Sequence, residues 1–168
     1  MHPNNPKSKM KVLDMDQTDR IERQLTLPIP REQVWQALTD PVELAIWFAD
    51  GVELDPRPGG QALFEWGEGD KCPAILERVE PPHRLAFHWR SYKSDPQQPV
   101  TELPSTLVEF TLEEMDEGEA TLLTLVESGF SGLPDEIRDR SRADNERGWD
   151  EELQDLRTYF TARPLPAM

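Results

Sequence analysis

The chain of 168 residues is long enough to bury a sizeable core as one domain. Its 18 Lys and Arg against 33 Asp and Glu leave a formal net charge of −15, which repels phosphate backbones and anionic lipid, so no nucleic acid and no membrane surface is expected as a partner. The single cysteine, Cys72, permits no internal disulfide, and no apolar run approaches a spanning or signal segment, so a reducing cytoplasm is the expected compartment.

Residues 1–18 lack apolar periodicity and are rich in polar groups and breakers, which predicts a polar leader outside the fold. Ile21, Arg23, Leu25 and Leu27 alternate with polar neighbours in a first strand that Pro28 and Pro30 end, and an edge position suits it. Val34, Trp35 and Leu38 then give a short helix one apolar face, ending near Thr39. Asp40-Pro41-Val42-Glu43 opens a second helix with a capping acid, a proline at the first helical position and an acid three residues after the cap. Leu44, Trp47 and Phe48 form its buried face, with Trp47 and Phe48 as core or as one wall of a pocket.

From Gly51 to Ser128 the hydrophobic period changes to two. Strands are expected over 62–66, 74–80 and 85–91, separated by turns at Gly59-Gly60, at 67–70 and at Pro81-Pro82-His83. Residues 92–104 carry Pro96, Pro99 and Pro104 and form a long loop of the kind that rims functional sites. Thr106 to Glu114 and Ala120 to Ser128 pair as a hairpin about Asp116-Glu117-Gly118. Alternation puts Leu85, Phe87 and Trp89 on one face, as it does Val108, Phe110 and Leu112. In the last strand Glu127 shares a side with Leu123 and Leu125, so either it escapes to solvent past Gly129 or it is buried and needs a donor such as Asn145, Arg142 or a ligand.

A long helix is expected over roughly 134–162. Trp149, Leu153, Leu156 and Phe160 fall on one stripe, and the positions in register upstream are Arg138, Arg142 and Asn145, with Ser141 and Gly148 beside them. That first half is either a solvated flank or the roof of a cavity with Asn145 and Arg142 pointing in. Catalytic motifs are wanting: there are no paired metal-ligand spacings and no phosphate loop, and Gly129-Phe130-Ser131-Gly132-Leu133 lacks the final glycine of a nucleophile elbow. His83 sits in a turn and His88 on a polar strand face, so three scattered histidines with His2 make no metal site, and no cofactor is expected.

Several segments together carry a resemblance to a known family: Val34-Trp35-Gln36-Ala37-Leu38-Thr39-Asp40-Pro41 with Trp47-Phe48, Gly59-Gly60, Val79-Glu80-Pro81-Pro82-His83-Arg84-Leu85, Glu127-Ser128-Gly129-Phe130, and Asn145-Glu146-Arg147-Gly148-Trp149 followed by Leu153 and Leu156. Their order resembles the helix-grip fold of the START and birch-pollen-allergen-like (SRPBCC) superfamily, and more particularly homologues of the C-terminal domain of the activator of heat-shock protein 90 ATPase. The resemblance implies an α+β helix-grip domain over 19–163, followed by a tail at 164–168: a curved antiparallel sheet around a long C-terminal helix, with two short helices after the first strand. It implies a cavity for a small hydrophobic or amphipathic ligand, lined by Trp47, Phe48, Phe64, Trp66, Trp89, Phe110, Glu127, Asn145 and Trp149, to which the helix register adds Arg142.

Two alternatives come with it. Some relatives of this fold are cyclases or hydratases, which would make Glu127 a general acid or base. The other is a chaperone-interacting or stress-response accessory protein, although no counterpart of the co-chaperone's N-terminal chaperone-binding domain is expected ahead of residue 19. A homodimer through the first strand or the proline-rich loop is a further expectation.

Overall fold

A computed structural model describes residues 19–67 and 69–162. The expected leader at 1–18, residue 163 and the expected tail at 164–168 lie outside the described residues. The elements in chain order are β1 (Arg20–Leu27), α1 (Arg31–Thr39), α2 (Pro41–Trp47), β2 (Gly51–Leu54), β3 (Gln61–Trp66), β4 (Asp70–Glu80), β5 (Arg84–Trp89), β6 (Thr106–Met115), β7 (Ala120–Ser128) and α3 (Asp135–Thr161).

The strands form one antiparallel sheet in the order β1-β7-β6-β5-β4-β3-β2. Every neighbour from β2 to β7 is a consecutive hairpin partner, so the middle of the chain is a meander; only β1 crosses over, closing against β7 with Ile21 opposite Glu127. The β4–β5 pairing shifts register between Leu76 and Arg78, a bulge that adds local twist. β1 is an edge strand, as its sequence suggested, and α3 lies across the concave face, giving the α+β helix-grip architecture. Among the described residues no helix is long and apolar enough to cross a membrane.

The inner face follows the period of two. Leu85, Phe87 and Trp89 of β5 are buried with Val108, Phe110 and Leu112 of β6 and Leu123 and Leu125 of β7, against Trp149, Leu153, Leu156 and Phe160 of α3. Arg23 takes the one inward position of β1 that passes the solvated flank of α3, where its Nε lies 2.7 Å from Asp150. In α1 the buried face is Val34, Ala37 and Leu38, while Trp35 is only half-buried; the small Ala37 fits where the helix lies flush on the core.

Asp40 caps α2 as expected, its side chain accepting from the Val42 amide at 2.9 Å, with Pro41 at the first helical position. Asp40→Ala should lower stability by about 1 kcal/mol, read as an earlier urea midpoint. The indole of Trp47 donates to the Ala37 carbonyl at 2.9 Å, so α1 and α2 are tied directly to each other. β2 is a short edge strand that sequence periodicity did not separate from the turn after it, because four residues are too few to display a period.

The long loop after β5 is held from inside. Arg90, fully buried, donates from Nε to Ser94 Oγ at 3.0 Å, from Nη1 to the Pro99 carbonyl at 2.8 Å, and from Nη2 to the carbonyls of Asp95 and Gln98, each at 2.8 Å. The expected strand to Ser91 therefore stops at Trp89: the next residue turns inward to organise the loop instead of continuing the ladder.

Candidate functional site

The second fully buried charged group is Glu127, on β7, with no exposed surface. Four side chains donate to its two oxygens. Trp89 Nε1 reaches Oε2 at 2.9 Å and Thr106 Oγ1 reaches the same oxygen at 2.6 Å, while Trp149 Nε1 reaches Oε1 at 2.8 Å. Asn145 Nδ2 spans both, at 3.1 and 3.0 Å, and also donates to Ser91 Oγ at 2.8 Å. Burial pushes the Glu127 carboxyl above its usual range, and the hydrogen bonds from Thr106, Trp89, Trp149 and Asn145 pull the other way. The carboxyl thus ties β5, β6, β7 and α3 together at one point.

Directly above this hub lies a cavity of about 360 Å³, within the usual size range of small-molecule sites. Its apolar wall is made by Phe48, Trp66, Trp89 and Trp149. Phe48 stacks on Trp149 with centroids 5.8 Å apart and planes at 18°, and Trp89 stacks on Trp149 at 5.6 Å and 28°. Trp66 meets Phe48 edge to face at 5.1 Å and is oriented by its Nε1, which donates to the Phe48 carbonyl at 2.8 Å. The opposite rim comes from Asp70, Lys71 and Cys72 of β4 and from Ser91 to Ser94 of the Arg90-held loop. Burial pushes the Cys72 thiol up to about 12, so it is a packed thiol with no thiolate chemistry at neutral pH.

The helix face over the cavity is Asn145, Gly148, Trp149 and Glu152, the spacing i, i+3, i+4, i+7. Glu152 is half-buried; burial first, then the neighbouring Asp155, Glu151 and Asp50, push its carboxyl up to about 8, against the opposing pull of the nearby Trp66 indole. A Cβ added at Gly148 would meet nothing within 4 Å, so this turn of helix opens on empty space.

Of the residues singled out from the sequence, Phe48, Trp66, Trp89, Asn145 and Trp149 line this cavity, and Glu127 lies one layer beneath it. Trp47, Phe64 and Phe110 do not join them. They pack with Leu38, Leu44, Leu85 and Phe87 around a void of only about 10 Å³, too small for a ligand. Arg142 turns the other way, donating to the Arg20 carbonyl at 3.2 Å and pairing with Glu146 at 3.4 Å, because its position on α3 faces β1 rather than the sheet's open end.

Sequence reading missed Glu152. Its signal was present as the heptad partner of Asn145, but it lies beside the apolar stripe, one residue short of Leu153. Also missed were Trp89, Trp149 and Thr106 as donors to Glu127. Indole N–H groups are easily counted as core, and nothing in the primary structure says which core tryptophan points at an acid. Among the described residues no group of three His, Cys, Asp or Glu side chains could hold a metal ion.

A meander gripping a long helix, with a cavity at the open end of the grip, defines a helix-grip protein. A family model described as "Activator of Hsp90 ATPase homolog 1-like protein" matches residues 28–161, and the chain belongs to that family. Similar solved structures include DynU16, a protein of the dynemicin biosynthetic locus, at 28% identity and TM-score 0.68 over 85% of this chain; the match spans 47%, about half, of DynU16. CalU16 from Micromonospora echinospora is 25% identical with TM-score 0.63, over 83% of this chain and 74% of its own. An HSP90 activator from Plasmodium falciparum shares the fold at 18% identity and TM-score 0.66, over 87% of this chain and 98% of its own. No protein of curated function matches the chain.

Proposed function

We propose that this protein binds a small hydrophobic or amphipathic molecule in the aromatic cavity between α3 and the open end of the sheet, and that it does so in the cytoplasm. The observation that carries this is the cavity itself: four aromatic side chains share one 360 Å³ space with the polar groups of Ser91, Asn145 and Glu152. A wall of large rings with a few fixed polar groups is what orients a small ligand while burying most of its surface. The place of DynU16 in a biosynthetic locus fits a fold that handles small molecules.

Acid–base catalysis by Glu127 fits less well. Both of its oxygens already accept hydrogen bonds from four buried donors, so a substrate in the cavity meets Trp89, Trp149 and Asn145 and not the carboxyl. Glu127 is better suited to fixing those three side chains, which present the ligand surface, than to moving a proton.

The test is native mass spectrometry of protein purified from its own host, alongside Gly148→Leu. The leucine side chain enters open space at the cavity mouth, so this variant is expected to fold with an unchanged or slightly higher melting temperature, since glycine in a helix interior costs roughly 1 kcal/mol against better helix formers. It should lose the co-purifying ligand. Retention of the same ligand by the plugged variant would move the site elsewhere, and a wild-type protein that is empty and unmoved by a metabolite panel would count against binding.

A further inference from the structure

We infer that the cavity selects a ligand carrying an organic cation, a protonated amine on an apolar body, and that Glu152 is its counter-ion. This rests on the cavity reading above and adds the chemistry of what enters.

Three observations converge. The first is that Glu152 Oε1 is buried at the cavity wall without a hydrogen-bond partner among the described residues. A buried acceptor left unmatched costs stability that a bound donor would recover. The second is the set of rings around it. Phe48, Trp66 and Trp149 line the same space, and the negative faces of aromatic rings attract a cation most strongly where water is excluded.

The third is local charge. Asp155, Glu151 and Asp50 all act on Glu152 in the same sense, making its surroundings negative, in a chain whose net charge is −15. An anionic ligand would add to that repulsion. Two lysines lie on the opposite rim: Lys71 on β4, which pairs with Glu65 at 3.8 Å, and Lys93 on the loop. A ligand ammonium beside Glu152 would satisfy the orphan oxygen, face the rings and relieve the carboxylate repulsion together.

The pH dependence distinguishes this from the neighbouring possibility, a neutral ligand whose carbonyl accepts a proton held on Glu152. The folded carboxyl titrates at about 8, so at neutral pH a cation must displace a proton to form the pair. Cation affinity should therefore rise by up to about tenfold per pH unit below pH 8 and level off above it, whereas a neutral acceptor should hold its affinity below pH 8 and lose it above. The other titratable groups facing the cavity are Asp70, Lys71 and Cys72 on β4, Tyr92 and Lys93 on the loop, and Glu127 beneath. Burial holds the Cys72 thiol and the Tyr92 hydroxyl above their ordinary values, so neither titrates on the rising limb.

The experiment titrates the full chain with 2-phenylethylammonium, an N–H donor that stays mainly cationic through the range, and with acetophenone and phenylacetate as neutral and anionic counterparts, following the indole N–H signals by NMR at pH 6, 7, 8 and 9. The expected result is binding of the ammonium in preference to the others, strengthening up to pH 8. In Glu152→Gln that preference and its pH dependence should disappear while acetophenone binding stays within about twofold. The same variant should melt no lower than wild type above pH 8: a carboxyl whose folded pKa is raised contributes stability only below that value, so losing it there costs nothing. Acetophenone binding without ammonium binding would overturn the cation assignment and leave the cavity reading standing. Failure of all three probes to shift any indole signal would overturn both.

Discussion

Glu127→Ala is expected to lose about 3–5 kcal/mol of folding stability, a large share of the roughly 5–15 kcal/mol that a domain of this size has. The loss has a defined origin. Four buried donors, from Trp89, Thr106, Asn145 and Trp149, would be left without their shared acceptor. Glu127→Gln should cost less, about 1–3 kcal/mol, because one oxygen remains while the new amide meets obligate donors head-on.

The two variants also carry a pH signature. Burial holds the Glu127 carboxyl above its unfolded value, so its proton is bound more tightly in the folded chain. Its contribution is complete below about pH 4.3 and declines as pH rises through the folded pKa. The advantage of wild type over Glu127→Gln should accordingly shrink with rising pH, measured as urea midpoints from pH 4 to pH 8. An advantage that grows with pH would mean that the four donors outweigh burial and the site is built for the anion.

The second large effect is at Arg90. Arg90→Ala should cost about 2–4 kcal/mol, since the carbonyls of Asp95, Gln98 and Pro99 lose their donors and the loop loses its internal support. Arg90→Lys should recover little, because one ammonium cannot reach partners arranged around a planar five-donor fork. The damage should be local. Amide hydrogen exchange is expected to accelerate across residues 91–104, while the indole signals of Trp47 and Trp149 keep their positions. Because the same loop supplies Ser91 to Ser94 to the cavity wall, ligand retention should fall with it. Uniform acceleration over the whole chain would instead mean that Arg90 belongs to the global core.

These two residues show where sequence stops being sufficient. Asp40-Pro41 announces a helix start because capping is local: the donor is two residues away and the geometry is set by the backbone between them. The hairpin of β6 and β7 and the stripe from Trp149 to Phe160 were legible for the same reason, since a period of two or of 3.6 is written in consecutive residues. Arg90 offered no such cue. In the alternation it shares the outer side with Ala86 and His88, and only the return of the loop, which wraps its carbonyls around the guanidinium, makes burial possible.

The candidate site divides along the same line. Asn145 and Trp149 stood out because they break and begin an apolar stripe within one helix. The list of aromatic residues drawn from family likeness could not separate Phe48 and Trp66, at the open end of the grip, from Phe64 and Phe110, which fill the closed end. All four are large, apolar and inward, and their difference is depth along the sheet, a coordinate set by strand register and by where α3 crosses. Arg142 and Glu152 make the point in reverse: about a turn before Asn145, Arg142 bonds to β1, whereas about a turn after Trp149, Glu152 lines the cavity wall. What the sequence alone determined was the set of elements and their faces, because those follow from local periodicity and capping. The tertiary structure decided which buried polar groups meet, since Glu127 and its donors come from residues 89, 106, 145 and 149, brought together only by the closing of the helix on the sheet.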